Sequence, residues 1–161
     1  MHNELKIANE ALAVQDKKKR IRNFILNAEE ALKRVPGTVV GHEADESVAP
    51  LKHTFVPGAY IREIFMTKGL LLTSKIHKVE HPYFIMKGKV TVLTEEGEVT
   101  IKAPYHGITP AGTKRLLYVH EDTVWITVHS TDSTDLDEIE KEIILPTFEH
   151  LEVKDETTQI P

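Results

Sequence analysis

The chain has no cysteine among its 161 residues. Disulfides and thiol catalysis are thereby excluded, and the composition fits a cytosolic product. It also lacks any run of about eighteen apolar residues, so no segment reads as a membrane-spanning helix. The opening stretch MHNELKIANEAL has no apolar core behind a basic start and does not read as a secretory signal. No internal repeat is present. Nucleic-acid binding is disfavoured, because the one basic run, Lys17-Lys18-Lys19-Arg20, is short and has no aromatic residue interleaved.

What is present suits a soluble globular protein. With 40% hydrophobic residues and mixed charge, the chain is expected to form one domain with a real core, plus an appendage. The net charge of −5 is unevenly spread. Residues 1–35 carry eight basic and five acidic side chains, whereas residues 130–161 carry two basic and ten acidic ones. Solvation accounts for such a split, and head-to-tail contact between subunits is the sharper reading.

Residues 1–35 form a predicted helical arm. Leu5, Ala8 and Leu12 recur at helical spacing, as do Ile21, Phe24, Ile25, Ala28 and Leu32, and Pro36-Gly37 ends the run. A break near Gln15-Asp16 is an open alternative to one continuous helix. Such an arm must bury its stripe on the barrel, on another subunit or on a partner. Residues 36–54 read as a connector, with a short strand at Val39-Val40.

From residue 55 to 130 the texture is that of a β-barrel. Short β-branched and aromatic runs alternate with Gly, Pro and acidic turns. Strands are predicted near 59–66, 70–77, 82–87, 89–94, 98–102, 114–120 and 123–129. Glu95-Glu96-Gly97 is a hairpin signal, and Glu121-Asp122 reads as a second. Residues 131–146 read as a C-terminal helix, capped by Ser133, Thr134 or Asp135, and residues 147–161 as a tail.

The densest polar feature is Lys75-Ile76-His77-Lys78-Val79-Glu80-His81. On a regular strand Lys75, His77, Val79 and His81 share one face, and two imidazoles there can ligate a divalent transition metal. If Arg115 faces inward, residues 117 and 119 do too, and His120 faces out. Tyr60, Tyr83, Tyr105, Tyr118 and Trp125 read as barrel core or rim. His2, His42, His53 and His150 fall in predicted loops or termini and carry no assigned role.

These residues resemble the cupin family. Gly88 matches the closing glycine of the first cupin motif, and Pro110-Ala111-Gly112 match the turn of the second. The resemblance implies a mainly β fold, a cupin-type antiparallel β-barrel or jelly roll. It also places Lys75, His77, His81 and Arg115 where the family has three histidines and a glutamate. Lysine and arginine have no free lone pair, so the resemblance leaves His77 and His81 as the metal candidates. A persisting metal needs further ligands from His106, His120, His129 or Glu80. Without a metal, the four residues line a pocket for a small anion.

The stretches FVPGAYIREI, GLLLTSKIHKVEH and PAGTKRLLYVHEDTVWITVH are also similar to small cupin-like proteins of tailed bacteriophages, some labelled morphogenetic. That likeness implies a product of the bacterial host cytoplasm, at times in the virion. The expected function is non-enzymatic: a virion or assembly component, or a small-anion-binding accessory. Homo-oligomers and other phage proteins are the expected partners, met through the 1–35 arm. The alternative is a metal-dependent enzyme acting on a small polar substrate through His77 and His81.

Overall fold

Two unusually long strands with apolar residues on one face build the molecule. The computed structural model describes residues 2–36, 38–40 and 48–148. In chain order its elements are α1 (His2–Leu32), β1 (Val39–Val40), β2 (Leu51–Val56), β3 (Ala59–Met66), β4 (Leu71–Thr73) and β5 (Ile76–His77). They continue with β6 (His81–Thr94), β7 (Gly97–Lys102), β8 (Tyr105–Thr109), β9 (Leu116–Ser130), α2 (Leu136–Ile143) and β10 (Ile144–Leu145). The fold is mainly β with a helix near each end, as the sequence predicts. Its sheet curls into a half-barrel.

Strand β9 is the spine. It pairs with β3 and β4 along one edge and with β6 along the other, while β6 also carries β7 and β8. Strand β2 extends β3, and β1 joins β4 in parallel. On β9, Leu117, Val119, Thr123, Trp125, Thr127 and His129 are buried, while most residues between them are not. This alternation keeps one face on the core along the whole strand. The core joins Trp125 to Ile85, Val90, Val119, Met66 and Leu72.

The sheet bends where β6 crosses β9. The pairing register shifts between Ile85 and Lys87, again before Lys89, and again before Val90. Gly88 lies inside this bulge at φ +94°, and a Cβ there would come within 2.4 Å of the Asp122 carbonyl oxygen. Only glycine tolerates both that dihedral and that approach. Glycine at position 88 thus has a local steric reason.

Several sequence expectations are corrected. The residues predicted as two strands at 82–87 and 89–94 form the single strand β6, and those at 114–120 and 123–129 form β9. Glu121-Asp122 is therefore not a hairpin; long-range pairing with β6 and β3 holds the chain extended through it. The predicted 70–77 strand is interrupted at Ser74-Lys75. Strands β2 and β8 lie outside the predicted strands. The Glu95-Glu96-Gly97 hairpin is present, with Thr94 paired to Gly97.

Helix α1 is continuous through Gln15-Asp16. Its C-terminal half packs on the barrel through Ile25 and Leu32. Arg22 donates to both carboxylate oxygens of Glu95 at 2.5 and 3.2 Å, and the Arg22 guanidinium lies 4.3 Å from the Phe148 ring centroid. Glu29 accepts from Thr73 at 2.5 Å and pairs with Lys114 at 2.6 Å. Phe24, placed on the buried stripe by its spacing, points outward, as do Leu5, Ile7, Leu12 and Val14.

Helix α2 is shorter than the predicted 131–146. Asp135 is its N-cap and accepts from the Asp137 and Glu138 amides, and the chain turns at Ile144 into β10, which pairs with β5. Ile139, Ile143 and Ile144 pack on Tyr60 and close one end of the half-barrel.

Candidate metal centre

Three elements bring three imidazoles together. His77 ends β5, where β10 pairs with it through Ile144. His81 opens β6, opposite Thr109 of β8. His129 lies near the end of β9, opposite Tyr60 of β3. The ring centroids are 4.2 Å apart for His77 and His81, 4.4 Å for His81 and His129, and 5.0 Å for His77 and His129. One nitrogen from each ring falls within 4.8 Å of the others. Four-coordinate zinc needs ligand nitrogens about 3.3 Å apart, given metal–nitrogen bonds of about 2.0–2.1 Å, so the three nitrogens would have to close by up to about 1.5 Å on a metal.

The protonation states suit a metal. His81 Nδ1 lies 3.3 Å from the Val79 carbonyl oxygen, which can only accept. Nδ1 therefore carries the proton and Nε2 the lone pair. That Nε2 is buried without a partner, and so is Nδ1 of His77. Two orphaned buried nitrogens in one cluster are costly unless something binds them. His129 Nε2 meets Thr127 Oγ1 at 3.1 Å, which leaves its Nδ1.

All three rings are held neutral. Burial, the rings of His81 and His129, and the charges of Arg115 and Arg62 push His77 down to about 2. Burial and the Arg115 charge, against the Val79 hydrogen bond, bring His81 to about 4. Burial, His81 and Arg62 bring His129 to about 3. Neutral imidazole is the ligating form, so the site is ready for a cation near pH 7.

The other sequence candidates are placed differently. Lys75 pairs with Glu140 of α2 at 2.7 Å. Val79 is exposed, because the chain leaves the strand between His77 and His81. Lys75, His77, Val79 and His81 therefore share no regular strand face. His120 faces out as expected and meets Thr91 at 2.7 Å. His106 packs on Phe84 on the exposed side of β8, and Glu80 is exposed. Tyr60, Tyr83 and Trp125 are core; Tyr105 and Tyr118 are exposed. His53 sits on β2 and meets the Tyr60 hydroxyl at 2.7 Å. His42 and His150, and the side chain of His2, lie outside the described residues.

Arg115 is inward and 8% exposed. It donates to Thr109 Oγ1, and its guanidinium lies 5.5 Å from the Tyr83 ring centroid and 5.6 Å from that of Trp125. Arg115, Arg62, Lys75 and the three histidines all line one cavity of about 330 Å³, whose remaining wall includes Met66 and Leu117. Arg62 was not singled out in the sequence.

No protein-family model and no curated protein matches the chain. Solved structures similar to it include KdgF from Halomonas sp., at 14% identity and TM-score 0.48, covering 60% of this chain and 90% of that one. A cupin-2 domain containing protein from Shewanella frigidimarina is similar at 8% identity and TM-score 0.43, over 50% of this chain and 79% of its own. A cupin domain from Bordetella pertussis is similar at 15% identity and TM-score 0.42, over 52% of this chain and 94% of its own.

Proposed function

We propose that the chain is a metal-dependent protein that acts on a small polar molecule in the half-barrel cavity. The observation that carries this is the convergence of His77, His81 and His129 on one point, with two ring nitrogens left without partners. Three neutral nitrogen donors form a set that suits a divalent transition metal and leaves coordination positions open. A metal held there supplies Lewis acidity toward a ligand oxygen or water. The chain's own residues do the rest. Ile139, Ile143 and Ile144 cover one end of the cavity and limit water. The Val79 carbonyl fixes the His81 tautomer, and the stacked Tyr60 ring, 6.0 Å from His129, supports that imidazole.

Elemental analysis of the full chain, purified without chelator, tests this. About one transition metal per chain is expected, and none after reloading with zinc, manganese, nickel and iron(II) in turn would overturn it.

A second reading rests on a different observation. Leu5, Ile7, Leu12 and Val14 stay exposed on α1. In that reading the chain is a phage-encoded assembly component of the host cytoplasm or virion, and the arm joins it to a second copy of itself. Changing Ile7, Leu12 and Val14 to Glu would then lower the oligomeric state in sedimentation, with metal content unchanged.

A further inference from the structure

Arg115 is a buried cation without a counter-ion. Among the described residues no carboxylate pairs with it, and its one side-chain hydrogen bond is to neutral Thr109. Lys75, by contrast, has Glu140, and Lys114 has Glu29. A guanidinium offers five N–H donors, so Thr109 leaves four. The rings of Tyr83 and Trp125 and the Thr109 hydroxyl offset part of the cost of burying this charge, and an anion in the cavity would offset the rest.

The position of this cation is set by the strands. Thr109 is the direct cross-strand partner of His81. Opposed residues on one sheet face have Cβ atoms about 4.5–5.5 Å apart. Thr109 therefore tethers the guanidinium beside a metal-ligand candidate. The Arg115 backbone amide donates to Ser74 Oγ at 2.9 Å, and Gly112 donates to the His77 carbonyl at 2.8 Å. The loop that carries Arg115 is thus fastened to the strand that carries His77. Tyr83 and Trp125, stacked on each other with centroids 4.7 Å apart, lie together to one side of the guanidinium.

We infer that the cavity selects a small organic carboxylate, whose two coplanar oxygens take the free edge of Arg115 while its other end reaches the three-histidine centre. The planar fork matches a carboxylate bidentately. Arg115 offers one charge to one carboxylate, and Arg62, which lines the same cavity, adds to the positive field there. Met66, Leu72, Leu117 and Trp125 give the ligand body an apolar wall. A cavity of about 330 Å³ lies at the small end of the usual ligand-site range of about 300–1,000 Å³, which fits an acid of few carbons. This inference rests on the metal reading for the second contact only.

Calorimetric titration of the zinc-loaded full chain with pyruvate, benzoate, benzamide and inorganic phosphate tests it. One equivalent of pyruvate or benzoate should bind, and benzamide should bind at least tenfold more weakly. Arg115→Gln should weaken the acids at least tenfold with metal content undiminished, and Arg115→Lys should restore part of the loss. Thr109→Val, which keeps the shape and removes the tether, should weaken them several-fold; this arm and the benzamide comparison decide the matter if the Arg115 variants do not fold. Binding of phosphate in preference to both acids overturns the inference, as does equal binding of benzoate and benzamide or acid binding indifferent to Arg115→Gln. If the chain holds metal and neither acid binds, the carboxylate inference fails and the metal reading stands. If acids bind through Arg115 to a chain that holds no metal, the metal reading fails and the anion site stands.

Discussion

The His77 and His129 rings lie 5.0 Å apart with planes 16° from parallel, joining the 2-residue strand β5 to the end of the 15-residue strand β9. Neither ring is positioned by its sequence neighbours. Pairing with β10 places His77, and pairing with β3 places His129. The set is therefore three histidines, and His129 is required alongside the two that share a sequence run. His129→Ala should lower zinc affinity by about 10²-fold or more, comparable to His77→Ala and His81→Ala. His106→Ala and His120→Ala should leave it unchanged. Competition against a chromophoric chelator measures all five. Equal loss on His120→Ala would refute the assignment.

The metal-free protein should lose stability in mild acid. Each of the three imidazoles has a folded pKa below its unfolded value of about 6.5. Below that value the unfolded chain binds more protons, so stability is full above about pH 6.5 and falls as pH drops. The fall continues toward pH 4 for His81 and further, toward 3 and 2, for His129 and His77. Each group contributes a slope of about 1.4 kcal/mol per pH unit inside its window. Urea midpoints measured from pH 8 to 4.5 should drop steadily below 6.5. His77→Gln should flatten the curve. A midpoint constant over that range would contradict the burial of neutral rings.

The fold class was legible because alternation, turn residues and the Glu95-Glu96-Gly97 hairpin are local signals. The site was legible only in part. His77 and His81 meet, but not by sharing a strand face, since the chain leaves the sheet at Lys78 and returns at His81. His129 stood among several candidates. Its inward parity was masked by reading Glu121-Asp122 as a turn. With β9 unbroken, the odd-numbered face of Leu117 and Val119 runs on through Trp125 to His129. What held the strand straight is its pairing with β6 and β3, which no local pattern reports. Arg62 and Glu140 were silent because a lone charged residue on a strand or helix usually marks a solvated face.

The bend at Gly88 gives a prediction on the barrel alone. An alanine Cβ would fall 2.4 Å from the Asp122 carbonyl oxygen and 2.7 Å from the Thr123 Cα. Both neighbours include backbone of β9, which cannot swing aside. The φ of +94° adds strain of about 1–3 kcal/mol for a non-glycine residue. Gly88→Ala should therefore destabilise the protein by more than that strain alone. Gly58→Ala, also at positive φ but with open space around it, should cost only the strain. Urea denaturation of the two variants compares them directly; equal losses would show that β9 yields.

The arm is clasped to the barrel by a buried charge pair. Glu29 of α1 meets Lys114 at 2.6 Å and Thr73 at 2.5 Å, and the side chains are 15% and 6% exposed for Glu29 and Lys114. Burial raises the Glu29 carboxyl, and the hydrogen bonds from Lys114 and Thr73 with the Lys114 charge outweigh it, so the pKa ends below its usual value. A depressed carboxyl contributes stability above its unfolded pKa and loses it as pH falls through the folded value. Glu29→Gln at pH 7 leaves Lys114 buried with the Ser74 carbonyl as its hydrogen-bond acceptor. Breaking one side of a buried pair costs about 3–5 kcal/mol. Because Ser74 also fixes the Arg115 amide, the loss should reach the cavity. The expected outcome is a lower melting temperature together with weaker benzoate binding. Replacing both partners, Glu29→Gln with Lys114→Met, should recover much of the stability, since no charge is then left unpaired. A double variant as unstable as Glu29→Gln alone would show that the clasp acts through packing of the arm and not through its charges.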